Sequence, residues 1–450
     1  MLIGFKVKNF RSFDELQHFS MVAGKTRNFP NHIIENKNLK LLKFSSLYGA
    51  NASGKSNFIL AMDLAKKLLI NNIDGMFANQ YFRINEKNKD MPSYFEYEIV
   101  KNNKLYSYGF EININKKEIV SEWLIDMTKP KEFKIFERDS HKKEITTDLK
   151  FTNKNDFNKF EVCKDDVKTN NKIFFLTEIT RRILMNSSDS ASFVDFLNIY
   201  NFFNSELSII LPNQSREIKF NYFSQYKEDI KPLLQKLGLD ITDLIEVESD
   251  MSEIKDRMNP IQYNQLKADI NNIKNNVKEF DITLRIENCI YTISGNNKQE
   301  DLDVKVIKLT HINSKTYFDT YEESDGTLRI LELIDILLSN NKVYVIDEID
   351  RSLHPSLTTR FIKTFLENVK NRNVQLIITT HESRLLTYDV LRRDEIWFCE
   401  KKSNGSTKLY SLEQFKEDAR FDRRIDKAYL DGRYGAVPIF MDFPKISNED

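Results

Sequence analysis

The chain has 450 residues, 40% of them hydrophobic, and its 67 basic side chains are balanced by 67 acidic ones. That length implies two or three domains with a sizeable buried core, and the cancelled charge excludes a polyanion-binding surface spread over the whole chain, leaving only local patches open. Three scattered cysteines without a CxxC pair argue against a disulfide framework or a thiolate metal site, and no apolar run reaches the roughly 20 residues of a membrane span, so the expectation is a soluble cytoplasmic protein with no membrane partner.

Residues 1 to 8 and Phe44 to Tyr48 read as strands. The second runs into Gly49-Ala50-Asn51-Ala52-Ser53-Gly54-Lys55-Ser56, which fits GxxxxGK[ST], and then into Asn57 and a helical pattern from Ser56 to Ile70. Glycines let backbone amides close around phosphates, and the helix N-terminus adds its positive dipole end. Lys55, read as an exposed cation, can reach the β and γ phosphates, and the Ser56 hydroxyl suits Mg²⁺. An ordinary glycine turn is the competing reading. From Tyr94 to Phe136 the text alternates, as in YFEYEIV and LYSYGFEINI, which predicts antiparallel strands with one wet face. Residues 138 to 172, crowded with Lys, Asn and Asp, read as a loop or weakly ordered excursion. Between 173 and 280 several runs carry helical spacing, and none sustains the heptads of a long coiled-coil arm.

A helix is then predicted from Thr327 to Leu338, followed by the apolar strand Val343 to Ile346, which delivers Asp347 and Glu348 at its end. Asp347 suits a Mg²⁺ shell, and Glu348 is placed to take a proton from an attacking water; two solvated surface carboxylates are the alternative. After a helix from Ser356 to Val369, the strand Val374 to Thr379 ends in Thr380-His381. That sets an imidazole at the same edge of a parallel sheet, where α/β folds bind ligands, and makes His381 a candidate γ-phosphate sensor against a merely structural histidine.

These residues resemble the ABC-type ATPases of the RecF, SMC and OLD-like kind over roughly residues 1 to 70 and 305 to 400. Phe5-Lys6-Val7-Lys8-Asn9-Phe10-Arg11-Ser12-Phe13 looks like the family's first strand and turn, which implies that Arg11 contacts nucleotide. Glu323-Ser324-Asp325-Gly326-Thr327 stands where the family keeps its signature motif, although it departs from LSGGQ wording. The resemblance implies that Ser324 and Gly326 cap ATP on a second subunit, with an Asp-Gly turn and helix N-cap as the alternative, that Ile349 to Pro355 is a D-loop with Asp350 crossing the dimer, and that Gln80 serves as the Q-loop glutamine near the metal, with no role for it as the alternative. His354 is read as structural. The tail from Tyr429 to Pro438 is similar to endings of RloA-like, AbiL-type and AriA-like phage-defence ATPases, with a packed C-terminal turn as the alternative and Arg433 as its residue to test.

The fold expected is α/β: an ABC-type P-loop head built from both chain ends, 1–137 and 305–450, with an antiparallel β lobe and an inserted, mainly helical region, 138–304. The cofactors implied are ATP and Mg²⁺, with Lys55, Glu348 and His381 as the catalytic set. Nucleotide binding falls to Arg11, Gly49, Asn51, Ala52, Ser53, Gly54, Ser56, Asn57, Ser324, Gly326 and Asp350, and the metal to Ser56, Asp347 and Gln80. About 69 residues follow His381, too few for a Toprim nuclease domain of order 100 residues. The partners expected are therefore a second copy or more of this chain and a separate effector, with a Toprim-like nuclease as one form of it; nucleic acid stays open. The leading expectation is an anti-phage sensor ATPase; a RecF-like DNA clamp is the alternative, and a transporter subunit is remote.

Overall fold

A computed structural model describes the chain except residues 27, 37–38, 72, 74–77, 186–190, 213–216, 219–221, 277–278, 298–300, 388, 416–423 and 438–450. The chain divides into two compact units, Met1–Ile209 with Asn341–Glu348 and Arg372–Asp450, and Ile210–Asn340 with Ile349–Asn371.

The first unit holds two large sheets and a two-stranded antiparallel ribbon, Ile33–Asn36 with Leu39–Leu42. One has the spatial order Leu207–Ile210, Lys342–Ile346, Val374–Thr379, Phe44–Tyr48, Ile396–Lys401, Thr407–Ser411. Its central strands are parallel, and the last two form an antiparallel hairpin. Phe44–Tyr48 and Val374–Thr379 are buried at every position, which is why they read as unbroken rather than alternating strands. Gln375, a polar residue in that run, is satisfied: its amide bonds Leu2 N and O and Leu42 O at 2.7 to 3.0 Å. Register pairs Ile346 with Ile378 and Thr379 with Leu47, so strands from opposite ends of the chain finish at one carboxyl edge.

The other sheet is antiparallel, with the order Glu144–Thr146, Phe133–Asp139, Glu118–Asp126, Lys104–Asn113, Ser93–Lys101, Leu2–Lys8, Gln17–Ser20. The alternation predicted these antiparallel strands, and Leu2–Lys8 joins them, but the wet face expected is absent from Ser93–Lys101 and Lys104–Asn113, which have no exposed position. Phe58, on the helix Lys55–Asn71, meets the rings of Phe5, Phe13 and Phe19 at 5.3 to 6.4 Å. Burying an aromatic of this kind contributes about 1.5–3 kcal/mol, so the helix that opens at Lys55 is fixed by core contacts rather than by its own propensity.

The stretch expected to be loop at 138–172 contains the helix Lys154–Lys168, capped by Asn153, whose side chain accepts from Asn155 N. Phe160, Cys163 and Val167 form its buried stripe. That spacing is helical, but the surrounding Lys, Asn and Asp masked it.

The second unit contains an antiparallel sheet in the order Glu217–Ile218, Glu279–Ile286, Cys289–Asn296, Asp303–His311, Ile241–Ser249. Its core packs Ile254, Tyr263, Leu266 and Ile270, from the helices Met251–Arg257 and Pro260–Asn276, against Ile282, Leu284, Tyr291 and Ile293. The middle of the chain is thus sheet as well as helix. No helix among the described residues is long and apolar enough to cross a membrane.

Candidate nucleotide-binding site

The loop after Tyr48 turns through left-handed backbone at Ala52 (φ 60°) and at Gly54 (φ 111°) before the helix starts at Lys55. Gly54 is required twice over: its φ is one that side chains disfavour, and a Cβ there would lie 2.2 Å from Thr407 Oγ1. Thr407 is buried and pins the loop from behind. Its hydroxyl donates to Ser53 O at 2.7 Å and shares a hydrogen bond with Ser12 Oγ at 2.8 Å, while Asn57 Nδ2 donates to the same Ser12 Oγ at 2.9 Å. The first turn of the chain, the loop, its helix and the C-terminal hairpin therefore form one polar network.

Lys55 is buried, not exposed as expected, because its ammonium folds into the loop and donates to Gly49 O at 2.7 Å and Ala50 O at 3.2 Å. Asn51 and Ala52 are exposed at the loop tip, and Ser53 is buried beneath it.

Asp347 leaves the end of Lys342–Ile346 as a buried carboxylate whose Oδ1 accepts from Ser56 Oγ at 3.2 Å and from Thr379 Oγ1 at 2.5 Å. Glu348 follows half-buried and in left-handed backbone, φ 51°, with its N–H donating to Thr379 Oγ1 at 2.8 Å. A non-glycine residue held there costs of order 1–3 kcal/mol and persists only where its surroundings impose it. His381 is exposed just beyond Val374–Thr379, the strand between those that deliver the loop and Asp347. A hydroxyl and a carboxylate in hydrogen-bond contact are hard oxygen donors, a set that fits Mg²⁺ completed by phosphate oxygens.

Arg11 and Gln80, predicted for separate tasks, are partners. Arg11 Nε and Nη2 donate to Gln80 Oε1 at 3.3 and 3.2 Å, and Arg11 N donates to Gln80 O at 2.7 Å. Gln80 thus presents its side-chain oxygen to a guanidinium, a cation that competes with any metal for that oxygen.

In the second unit, Ser324 caps the helix Asp325–Leu338, its Oγ accepting from Thr327 N at 3.1 Å, and is exposed. A Cβ on Gly326 would lie 3.0 Å from Ser352 O, so a glycine lets the turn Ser324-Asp325-Gly326 approach the segment that carries Asp350. His354 caps the helix Pro355–Asn368, its Nδ1 accepting from Ser356 N.

The tail motif packs on the C-terminal hairpin. Phe398 stacks with Tyr429 and Tyr434 at 5.6 Å, and Tyr429 OH donates to Ala436 O at 3.3 Å. Arg433 is exposed, and Pro438 lies outside the described residues. Neighbouring Cys399 is fully buried, and desolvation pushes its thiol up to about 12.

Thr379, Thr407 and Ser12 are site-building residues that the sequence reading missed. The only available signal was position: Thr379 ends a strand, and Ser12 follows Arg11.

Three solved structures share loose similarity: an SMC head bound to the C-winged helix domain of ScpA (TM-score 0.42, 12% identity, covering 91% of this chain and 97% of that one), an SMC head domain from Thermotoga maritima (0.38, 13%, 91% and 98%), and an SMC head with an extended coiled coil bound to the C-terminal domain of ScpA from Pyrococcus furiosus (0.37, 12%, 92% and 98%). No match is found among curated proteins. Residues 44–387, most of the chain, match the AAA_21 family, described as "AAA domain, putative AbiEii toxin, Type IV TA system". The span opens on the phosphate-loop strand and closes beyond His381, and the chain belongs to this family of AAA-domain ATPases.

Proposed function

We propose that the chain is a Mg²⁺-dependent ATPase of ABC type that acts as the cytoplasmic sensor or regulatory subunit of an anti-phage, abortive-infection system and controls a separate effector protein. The observation that carries the catalytic part is the convergence of the Ser56 and Thr379 hydroxyls on Oδ1 of the buried Asp347, with Glu348 in strained backbone beside it. The family's description as a type IV toxin–antitoxin system supports the defence part.

In this reading the loop amides and the helix N-terminus receive the phosphates, and Lys55 leaves the carbonyls of Gly49 and Ala50 for the β and γ phosphates. The metal supplies charge neutralisation between the phosphates when bound. Ser56 and Asp347 hold it, Arg11 contacts the nucleotide from its Gln80 seat, and Glu348 Oε accepts the proton of the attacking water. His381 senses the γ phosphate. Ser324, Gly326 and Asp350 act on ATP held by a second copy, so closure of a homodimer reports nucleotide state to the effector, for which a Toprim-like nuclease is one form.

The test co-expresses the chain with its operon neighbours and measures complex mass and ATP turnover with and without Mg²⁺. ATP-dependent assembly with a toxic neighbour supports the proposal. Turnover with no ATP-dependent change in mass leaves an ATPase but removes the regulatory reading.

A further inference from the structure

We infer that Thr379 is a positioning residue for hydrolysis, a single hydroxyl that sets both the Asp347 carboxylate and the backbone of Glu348; this rests on the ATPase reading above. Three observations converge. The strand Val374–Thr379 lies between the strands that deliver the phosphate loop and Asp347, so its last side chain falls between the two halves of the site. Thr379 is 1% exposed and Asp347 3%, so neither can exchange its partner for water. The hydroxyl is also used in both senses: its one hydrogen goes to Asp347 Oδ1 at 2.5 Å, and its lone pair takes the N–H of Glu348 at 2.8 Å.

The chemistry needs that arrangement. Glu348 sits at φ 51°, where the chain does not rest by preference. A hydrogen bond to its own N–H holds that conformation and with it the direction in which the carboxylate leaves the strand end. The same hydroxyl fixes one oxygen of Asp347, leaving the carboxylate oriented for Ser56 and a cation. Thr379 touches neither nucleotide nor water in this scheme; it acts through the two acidic residues. Groups that orient metal ligands in this way typically change affinity or activity by about 10–100-fold when removed.

The experiment compares Thr379→Val, Thr379→Ala and Thr379→Ser in the full chain. It reads thermal unfolding, ATP affinity with Mg²⁺ and with the metal chelated, and kcat and KM. Valine keeps the shape and deletes the hydroxyl, so kcat should fall about 10–100-fold and the gain in ATP affinity on adding Mg²⁺ should shrink, while metal-free affinity stays parental. Serine should restore kcat. Alanine gives the same reading if valine does not fold. Parental kcat in the valine variant, or a serine variant as impaired as valine, would overturn the inference. Should the parental chain fail to turn over ATP, the ATPase reading falls by itself, and an unchanged Mg²⁺ contribution to affinity in Thr379→Val would still count against Thr379.

Discussion

The Ser56 hydroxyl donates to Asp347 Oδ1 at 3.2 Å although 291 positions separate the two residues in the chain. The parallel sheet makes this possible. Phe44–Tyr48 and Lys342–Ile346 flank Val374–Thr379 and end at one edge, so the phosphate loop and the acidic pair face each other without any local sequence connection.

Gly54→Ala should remove nucleotide binding and lower stability. The new methyl would meet Thr407 Oγ1 in a backbone conformation disfavoured for alanine, at a cost of about 1–3 kcal/mol. Thermal unfolding and ATP titration check it. Parental values in both would mean the loop relaxes freely and Thr407 does not clamp it.

How much of this was legible follows from where each signal lives. Gly49 to Ser56, Asp347 and Glu348 are readable because phosphate and metal chemistry demands fixed residue types at fixed spacing beside an apolar strand. Arg11 and Gln80 were both singled out, but their pairing across 69 residues was not, since a contact between loops leaves no period in the text. Thr379 and Thr407 were invisible for the same reason: one buried hydroxyl looks like any other threonine. The strands Glu279–Ile286 and Cys289–Asn296 do alternate in part, but the helical runs before them dominated the reading of the middle region.

Glu348→Gly should give a more stable and inactive protein. Glycine adopts φ 51° without the steric penalty that glutamate bears there, so stability should rise by about 1 kcal/mol despite glycine's larger unfolded entropy. Denaturant unfolding measures the gain. A loss of stability would show that the glutamate side chain makes contacts that outweigh its strain.

Lys55→Ala should lower ATP affinity by about 10–100-fold, which corresponds to a charge-assisted hydrogen bond of roughly 1.5–3 kcal/mol. The side chain is buried against Gly49 O and Ala50 O rather than in the apolar core, so the variant should still fold. Isothermal titration with a non-hydrolysable analogue checks affinity, and circular dichroism checks the fold.

The three cysteines should resist thiol reagents at neutral pH in the native protein. All are buried, and desolvation pushes Cys163 up to about 11, Cys399 up to about 12 and Cys289 above its usual range, so little thiolate forms. Reaction should appear only on unfolding, with three equivalents released, and should accelerate at alkaline pH only if access opens. Rapid labelling of native Cys399 would show that the strand behind the phosphate loop opens.

The central claim is that Glu348 completes a hydrolytic site whose binding parts are Lys55, Ser56 and Asp347, and single-turnover hydrolysis of stoichiometric radiolabelled ATP by the parental chain and Glu348→Gln tests it most directly. The amide keeps the size of the carboxylate but cannot accept the water's proton. The account predicts phosphate release by the parental chain, and a Glu348→Gln protein that binds ATP with parental affinity, retains it uncleaved and shifts to the mass of a dimer. Phosphate release by Glu348→Gln at the parental rate would contradict it.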